Sequence, residues 1–167
     1  ELLLKEKIIV WFQGKTEFGP RALGYRSILA LPQKKSIKDF INIEVKHREQ
    51  WRPLCPSILA EQSYKYFENS SFGRFMNVAV HSKELARSNV PSVIHIDGTS
   101  RVQKVYENEN PLYYNLLKII GYKTGDPILL NTSFNLKEPI VNSPKDAIRT
   151  FKKMPITSMI IGNYVVQ

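Results

Sequence analysis

The chain has 167 residues, and its 24 Lys and Arg residues against 15 Asp and Glu residues give a formal net charge of +9. That length is typical of one domain. The charge favours an anionic partner such as a phosphate, a nucleotide, nucleic acid or a membrane surface. Cys55 stands alone, which excludes a disulfide framework and a cysteine-based zinc cluster and fits a reducing compartment, so we expect the cytoplasm.

Two sequence features bear on the ends of the chain and on membranes. No run approaches the roughly 20 apolar residues of a membrane span, and we therefore expect no membrane partner. The first residue is not Met, and a strand-like run begins within a few residues. We expect a fragment of a longer protein.

A glycine-rich segment lies between the first predicted strand and the first predicted helix. Residues 7–12 form a continuous apolar run typical of a strand buried on both faces, and residues 36–46 carry apolar residues at helical spacing. Residues 14–29 between them hold three glycines, a proline and three cations. Glycines permit positive φ, and arginines bind phosphate or carboxylate through two parallel hydrogen bonds. The segment fits an anion-binding loop, or equally a tight turn with solvated charges.

The later patterns mix strands and helices. Further strands are predicted at 56–60, 74–80, 92–96, 127–130, 158–161 and 164–166. A helix is predicted over 112–120, ended by Gly121 or Gly125, and another begins at Ser143, with Pro144 as its first residue. This mixture predicts an α/β or α+β sheet domain.

Three polar clusters follow in the chain. Residues 46–53 read KHREQWRP, and these cations either complement a helix end or form a phosphate site where a sheet ends. Residues 95–101 read HIDGTSR, an Asp-Gly hairpin signal that could also hold a metal, although no other His or Cys spacing supports zinc. Residues 131–135 read NTSFN, whose amides and hydroxyls could bind phosphate, a base or a carbamoyl group, or form an ordinary turn. Neither a P-loop nor a G-x-S-x-G nucleophile elbow is present.

Read together, the clusters resemble the C-terminal domain of the carbamoyltransferase family that includes the nodulation protein NodU and the cephalosporin and tobramycin carbamoyltransferases. The matching residues are EFGPRALG at 17–24, RSIL at 26–29, Lys46, Arg48-Glu49, Arg52-Pro53, Pro56-Ser57, HIDGT at 95–99, Arg101, NTSFN at 131–135 and EPIV at 138–141. The resemblance spans nearly the whole chain, and four motifs in the right order are far more specific than any one of them.

The resemblance implies an α/β fold similar to the YrdC/Sua5 domain, a twisted mixed β-sheet with flanking helices and a basic concave face. It implies that carbamoyl phosphate and ATP, with Mg²⁺ on the nucleotide, are joined to give carbamoyl adenylate and pyrophosphate. A preceding Kae1-like domain with its own metal site, absent from this chain, would then transfer the carbamoyl group to a substrate hydroxyl. No metal site is expected within the chain itself.

The same resemblance assigns residues to the site. Lys46 and Arg101 are expected to be catalytic, because cations offset the negative charge that accumulates on phosphorus. The expected substrate-binding residues are Arg21, Arg48, Arg52, His95, Asp97, Asn131, Ser133 and Asn135. The four with no individual role beyond the motif match are Arg48, Arg52, His95 and Asp97.

The chain departs from the family pattern at two positions, and its charge also allows a second function. The family has a Gly before the residue equivalent to Glu138, which this chain lacks, so the turn beside Ser133 is expected to differ. Lys15 stands where many relatives carry Arg. The rival is a non-catalytic, basic nucleic-acid-binding module, which interleaved surface aromatics and cations would favour; the cations cluster at inferred loop ends instead, so nucleic acid is not the expected partner.

Overall fold

The computed structural model describes residues 1–5, 7–69 and 73–167, whose apolar runs form a mixed β-sheet. The strands are β1 (Ile9–Phe12), β2 (Arg26–Ala30), β3 (Cys55–Leu59), β4 (Ala79–His81), β5 (Thr99–Arg101), β6 (Gln103–Val105), β7 (Ile128–Ser133), β8 (Met159–Ile161) and β9 (Tyr164–Val166). Seven of these described strands make the main sheet in the order β6-β3-β7-β2-β1-β8-β9, and β4 pairs with β5 in a separate ribbon.

Helices connect the strands. They are α1 (Lys35–Phe40), α2 (Ser63–Tyr66), α3 (Glu84–Asn89), α4 (Pro111–Thr124) and α5 (Pro144–Phe151). A π-helical turn, Ile41–Val45, continues α1, and short 3₁₀ turns lie at Leu3–Lys5, Ala60–Gln62 and Pro91–Val93. Within the described part of the chain, no helix has the length and apolar character needed to cross a membrane.

The predicted helix ends are confirmed for the two longest α-helices. The side chain of Asn110 caps α4 by accepting a hydrogen bond from the Tyr113 N–H at 3.1 Å, and α4 ends at Gly125, which has a φ of 87°. Ser143 caps α5 and forms a reciprocal capping box with Asp146. The Ser143 start of α5 and the Gly125 end of α4 were predicted from the sequence, whereas the Asn110 cap of α4 was not.

The central strand β7 carries polar residues at its end and apolar residues before them. It pairs antiparallel with β2 and β3, and this register places Cys55 opposite Asn131. Leu129 packs in a core with Tyr113 of α4, whereas Ile128 packs in a second core on the other face. Because both faces of the strand are covered, its sequence is apolar without alternation.

Two of the predicted strands are wrong. Residues 92–96 begin within a 3₁₀ turn instead, since Pro91 supplies a helical φ and the Ser92 hydroxyl donates to the Pro32 carbonyl at 3.0 Å. Most of 74–80 lies outside a strand, and only its last two residues belong to β4. The Asp-Gly turn does form, because the His95 N–H donates to the Thr99 carbonyl at 2.8 Å, but β5 pairs with β4 rather than with the preceding segment.

Strand β2 was not predicted, although all five of its residues are buried. Its first residue, Arg26, interrupts the apolar pattern. The Arg26 guanidinium lies 3.6 Å from the centroid of the Phe12 ring and donates to the Gln13 carbonyl at 2.7 Å and the Gly14 carbonyl at 3.0 Å. A charged residue can therefore occupy the core edge of this sheet because backbone carbonyls and an aromatic face receive it.

A substitution at Gly24 tests whether close packing holds the glycine-rich segment in place. Its φ is +95°, and a Cβ atom there would lie 2.3 Å from Cδ1 of the buried Tyr113. We expect Gly24→Ala to lower the free energy of unfolding by about 2–4 kcal/mol, since strain and overpacking add. Chemical denaturation measures this loss.

Gly125→Ala is the matched control. Its φ is +87°, but nothing lies within 4 Å of the added Cβ, so only backbone strain of about 1–2 kcal/mol is expected. Equal losses in the two variants would contradict the packing argument for Gly24.

Candidate functional site

Asn131 joins three parts of the fold at the end of β7. Its side chain is 1% exposed, and its Nδ2 lies 3.1 Å from the Ala22 carbonyl oxygen and 3.0 Å from both Ser57 Oγ and Gln103 Oε1. Gln103 Nε2 in turn donates to the Leu23 carbonyl at 2.8 Å. These bonds fix the glycine-rich segment over strands β3 and β6. The Oδ1 atom of Asn131 is buried and has no hydrogen-bond partner among the residues that the structure describes.

Glu17 shapes the same segment from within. One carboxylate oxygen, Oε1, accepts from the backbone N–H groups of Leu23 at 2.6 Å, Tyr25 at 3.1 Å and Arg26 at 3.2 Å. The loop between Glu17 and these groups carries Arg21. Sequence reasoning did not assign Glu17 a role; the signal available was a lone carboxylate within a cationic, glycine-rich loop, where backbone N–H groups need an acceptor.

Three arginines converge on a small cavity beside Asn131, which we call the arginine cavity. It has a volume of about 80 Å³ and is lined by Arg21, Arg48, Arg101, Cys55, Asn131 and Ser133, among others. The first two come from loops and Arg101 from β5. The arginine cavity therefore brings together residues from all four sequence clusters.

The charges in the arginine cavity are not balanced by carboxylates. Among the residues that the structure describes, Arg21, Arg48 and Arg101 form no ion pair with an acidic side chain. Arg101 Nη2 lies 3.6 Å from the sulfur of Cys55. Burial raises the pKa of the Cys55 thiol despite the nearby guanidinium charges, and burial together with the charge of Arg52 lowers the pKa of Arg48. The cavity thus combines positive charge with polar groups that lack partners.

A wider cleft lies next to the arginine cavity and shares Arg48 and Ser133 with it. We call it the lysine cleft; it has a volume of about 830 Å³, and its lining also includes Lys46, Arg52 and Asn135. Arg52 is half exposed and lies 3.5 Å from a Glu49 carboxylate oxygen. The two spaces together provide room for a ligand much larger than phosphate.

Lys46 is buried, which the sequence did not lead us to expect. Its side chain donates to the Ser133 carbonyl at 2.5 Å, to the Asn135 carbonyl at 2.7 Å and to Asn135 Oδ1 at 2.8 Å. Burial, and next the charge of Arg48, lower the pKa of Lys46 to about 7. In this structure the ammonium group holds the loop after β7, and its assignment as a phosphate contact stays a prediction.

The turn after Ser133 closes without the glycine that the family pattern contains. The Ser133 hydroxyl donates to Asn135 Oδ1 at 2.7 Å, and Asn135 Nδ2 donates to the Glu138 carbonyl at 2.7 Å. The Glu138 carboxylate accepts from the Thr150 hydroxyl at 2.7 Å. Ser133 and Asn135 therefore line the lysine cleft while their polar atoms are joined to each other.

Arg48 is held by a residue that the sequence analysis did not identify. Asn42, in the π-helical turn, is fully buried, and its Oδ1 accepts from Arg48 Nε at 2.8 Å. Its Nδ2 donates to the carbonyls of Gln50 at 3.1 Å and Arg52 at 2.9 Å. The sequence signal for this role of Asn42 was weak: a polar residue at a position on the apolar side of a predicted helix.

His95 and Asp97 lie outside the lining of both spaces. His95 lines a third cavity, of about 400 Å³, together with Lys35, Lys38 and Arg87. Asp97 is exposed and accepts from the N–H and hydroxyl of Thr99, which lowers the pKa of its carboxyl group. The motif at 95–101 is thus divided, with Arg101 in the arginine cavity and His95 elsewhere.

The residues present do not fit a protein-held metal ion. Within the described ranges, no group of three or more His, Cys, Asp or Glu side chains could hold a metal. The arginine cavity and the lysine cleft are lined mainly by cations and amides, whereas Mg²⁺ is bound through carboxylates, phosphates and water. Neither space therefore offers Mg²⁺ protein ligands among the described residues, so Mg²⁺ would have to be held by phosphates of a ligand.

Two solved structures are similar in fold. The structure of full-length HypF in its phosphate- and nucleotide-bound form matches with a TM-score of 0.68 at 17% identity, over 96% of this chain and 24% of that one. A double-alanine variant of Sua5 from P. abyssi matches with a TM-score of 0.60 at 14% identity, over 96% of this chain and 43% of that one. The expected YrdC/Sua5-like fold is confirmed.

Curated relatives are similar in sequence. An uncharacterised Methanocaldococcus jannaschii protein, MJ1058, is 46% identical over 100% of this chain and 28% of its own length. Nodulation protein NolNO of Sinorhizobium fredii is 44% identical over 96% of this chain and 24% of its own length. The 3'-hydroxymethylcephem-O-carbamoyltransferase of Amycolatopsis lactamdurans is 34% identical over 94% of this chain and 30% of its own length. The chain spans less than a third of each of these relatives.

The family model described as "Carbamoyltransferase C-terminus" matches residues 1–167. The resemblance first drawn from four motifs is therefore confirmed over the full sequence, and this chain belongs to the carbamoyltransferase C-terminal family.

Proposed function

We propose that this chain is the part of an O-carbamoyltransferase that binds ATP and carbamoyl phosphate and forms carbamoyl adenylate. One observation carries the proposal: three guanidinium groups without carboxylate partners among the described residues surround one cavity, which adjoins a much larger cleft. Both substrates are polyanions, and a group of cations without carboxylate partners attracts polyanions. Family membership supplies the carbamoyl chemistry.

The proposed reaction has two steps, and in each step one bond forms while another breaks. Water takes the phosphoryl group of carbamoyl phosphate as phosphate, and a carbamate oxygen then bonds to the α-phosphorus of ATP. The bond from that phosphorus to the β-phosphate oxygen breaks, so pyrophosphate leaves with the electron pair. No protein nucleophile is required, and Arg21, Arg48 and Arg101 would stabilise the charge on the phosphoryl oxygens.

The proposed roles differ between residues. Arg21 and Arg101 would contact the phosphates, and Asn131, whose Nδ2 already donates within the protein, would line the same cavity with its acceptor atom Oδ1. Arg48 lines both the arginine cavity and the lysine cleft. Lys46 would act as a positioning residue by holding Ser133 and Asn135 in place. Mg²⁺ would enter with the nucleotide and offset phosphate charge there.

The acceptor step would need another part of a longer polypeptide. The relatives are more than three times the length of this chain. We propose, from the family resemblance, that a Kae1-like domain carries the carbamoyl group to a substrate hydroxyl. The name of the Amycolatopsis relative, 3'-hydroxymethylcephem-O-carbamoyltransferase, is consistent with such a hydroxyl.

One observation favours the rival function of nucleic-acid binding. Phe18 is fully exposed beside the loop that carries Arg21, and Trp51 is exposed beside Arg52. Exposed aromatics next to cations can stack single-stranded bases. Against this, the arginines that lack carboxylate partners line a cavity of about 80 Å³, which suits a phosphate group better than a strand.

A direct test uses the full-length protein that contains this chain. We expect exchange of radiolabelled pyrophosphate into ATP only when carbamoyl phosphate is present. Calorimetric titration of the 167-residue chain with ATP and with a short single-stranded RNA distinguishes the proposed function from nucleic-acid binding. RNA binding without ATP binding, together with absent exchange, would overturn the proposal.

Arg101→Ala should weaken ATP binding to the chain by about 1.5–3 kcal/mol, the cost of losing hydrogen bonds to a charged group. Its guanidinium forms no ion pair among the described side chains, so the midpoint of thermal unfolding should change little. Arg149→Ala is the control, because Arg149 pairs with Asp146 on α5, outside the lining of the two spaces. A large fall in the unfolding midpoint with unchanged ATP affinity would show that Arg101 is structural.

Lys46 should make stability depend on pH. Its folded pKa is lowered to about 7 from 10.5, so between those values the unfolded chain binds more protons than the folded chain. The free energy of unfolding of the wild type, relative to Lys46→Met, should therefore rise with pH from about 7 towards 10. The limiting slope is about 1.4 kcal/mol per pH unit.

Urea unfolding at a series of pH values measures the difference between these two proteins, and other titrating groups cancel in it. Parallel stability curves for the wild type and Lys46→Met across this range would show that the Lys46 ammonium keeps its ordinary pKa in the folded protein.

A further inference from the structure

The cavity beside His95, which we call the histidine cavity, has no part in the proposed adenylation. Its volume is about 400 Å³, and it is lined by Lys35 and Lys38 of α1, Arg87 of α3 and His95. Asp39 is the one carboxylate in its lining, and none of these charged residues forms an ion pair with a described side chain. Three cations and one carboxylate leave a formal charge of +2.

The hydrogen bonds of His95 determine which ring nitrogen carries the proton. A carboxylate only accepts, so the Thr99 hydroxyl donates its proton to Asp97 Oδ1, at 2.7 Å. The same hydroxyl oxygen lies 3.0 Å from His95 Nδ1 and must accept from it. In the neutral ring, Nε2 is therefore an unprotonated acceptor. This atom is buried and has no hydrogen-bond partner within the described part of the chain.

Burial and the positive charges near His95 both favour the neutral form of its ring. Burial is the largest effect that lowers the pKa of His95; the charges of Arg101 on β5 and Lys38 on α1 lower it further, while Asp97 raises it. Arg87 also lies close, with its Nη2 3.2 Å from the position of a Cβ atom on Gly98. An anion in the histidine cavity would reverse this balance, because it would attract a proton to Nε2.

We propose that the histidine cavity is a second anion-binding site, which takes a phosphate-bearing dianion such as inorganic phosphate or a phosphate monoester, and that His95 takes up a proton from solvent at Nε2 when the anion binds. A phosphate monoester carries a charge of about −1.5 to −2 at pH 7, which matches the charge of the lining. Protonation adds a positive charge to the lining, which strengthens the attraction of the cavity for the anion. The proposal does not depend on the adenylation reaction.

The sign of the pH dependence follows from this linkage. The pKa of His95 is below its ordinary value in the free protein and rises in the complex. Affinity is therefore highest at acid pH and falls as the pH rises through the pKa of the complex. Sulfate is a suitable probe, since it is a dianion that does not titrate in this range.

The test is an NMR titration of the 167-residue chain, whose three histidines give three separate reporters. The pKa of each imidazole is measured in sodium chloride and in sodium sulfate at equal ionic strength. We expect sulfate to raise the pKa of His95 by about one unit, a tenfold preference for the protonated ring. His81, exposed on β4, should not shift, and His47 reports on the lysine cleft.

Variants locate the anion. Lys38→Ala and Arg87→Ala should remove the sulfate effect on His95, whereas Arg48→Ala, which alters the other two spaces, should leave it. Lys145→Ala, which removes an exposed cation of α5, controls for the loss of net charge. A His95 pKa that is equal in chloride and sulfate, or a shift that persists in Lys38→Ala and Arg87→Ala, would overturn the proposal. Loss of the shift in Arg48→Ala would do the same, by placing the anion in the arginine cavity.

Discussion

The hydrogen bonds of one buried amide, Asn131, hold the arginine cavity together. Its Nδ2 group reaches the glycine-rich segment, β3 and β6 at once, and all three partners are within 3.1 Å. A buried amide that lost these partners would leave several polar groups unsatisfied, at a cost of about 1–3 kcal/mol each. The loop with Arg21 therefore cannot move far from the sheet without disrupting the core beneath it.

The rigid loop and sheet hold the three arginines of the arginine cavity in fixed positions. Guanidinium groups that repel one another separate into solvent when their backbone is mobile. Here Glu17 fixes the loop of Arg21, Asn42 fixes Arg48, and strand pairing fixes Arg101. Like charges are thus kept close by the folded structure itself. Under the proposed function, the cost of assembling them would be met by folding rather than by anion binding.

The sequence predicted local features of the fold better than features that depend on tertiary contacts. Helix caps are local, so the sequence pattern identified Ser143 and limited the end of α4 to Gly121 or Gly125, and the strand at 127–130 was visible as an uninterrupted apolar run. Strand β2 was missed because Arg26 is buried through contacts with residues on another strand. Contacts of that kind depend on tertiary structure, which no local pattern encodes.

The same limit applies to the candidate site. The four clusters were expected to meet, and Arg21, Arg48, Arg101 and Ser133 do line one cavity. Lys46 and His95 were expected to act beside them, yet one is buried in a hydrogen-bonded loop and the other lines a separate cavity. Spacing along the chain identifies chemical groups, but the direction of each side chain depends on the local backbone. The residues that set it here, Glu17 and Asn42, carry only weak signals in the sequence: a carboxylate in a cationic loop and a polar residue on the apolar side of a helix.

The π-helical turn at Ile41–Val45 illustrates how a local departure from regular structure links the basic cavities. Lys35 and Lys38 lie before it and line the histidine cavity, whereas Lys46 follows it and lines the lysine cleft. The Lys46 N–H donates to the Ile41 carbonyl at 2.9 Å, a bond that spans one residue more than in an α-helix. The extra residue widens the turn, and Asn42 within it is fully buried and bonded to Arg48. A regular α-helix over the same residues would rotate Lys46 and the following arginine by about 100° relative to Lys38, so the wide turn allows one helix to present cations to two separate spaces.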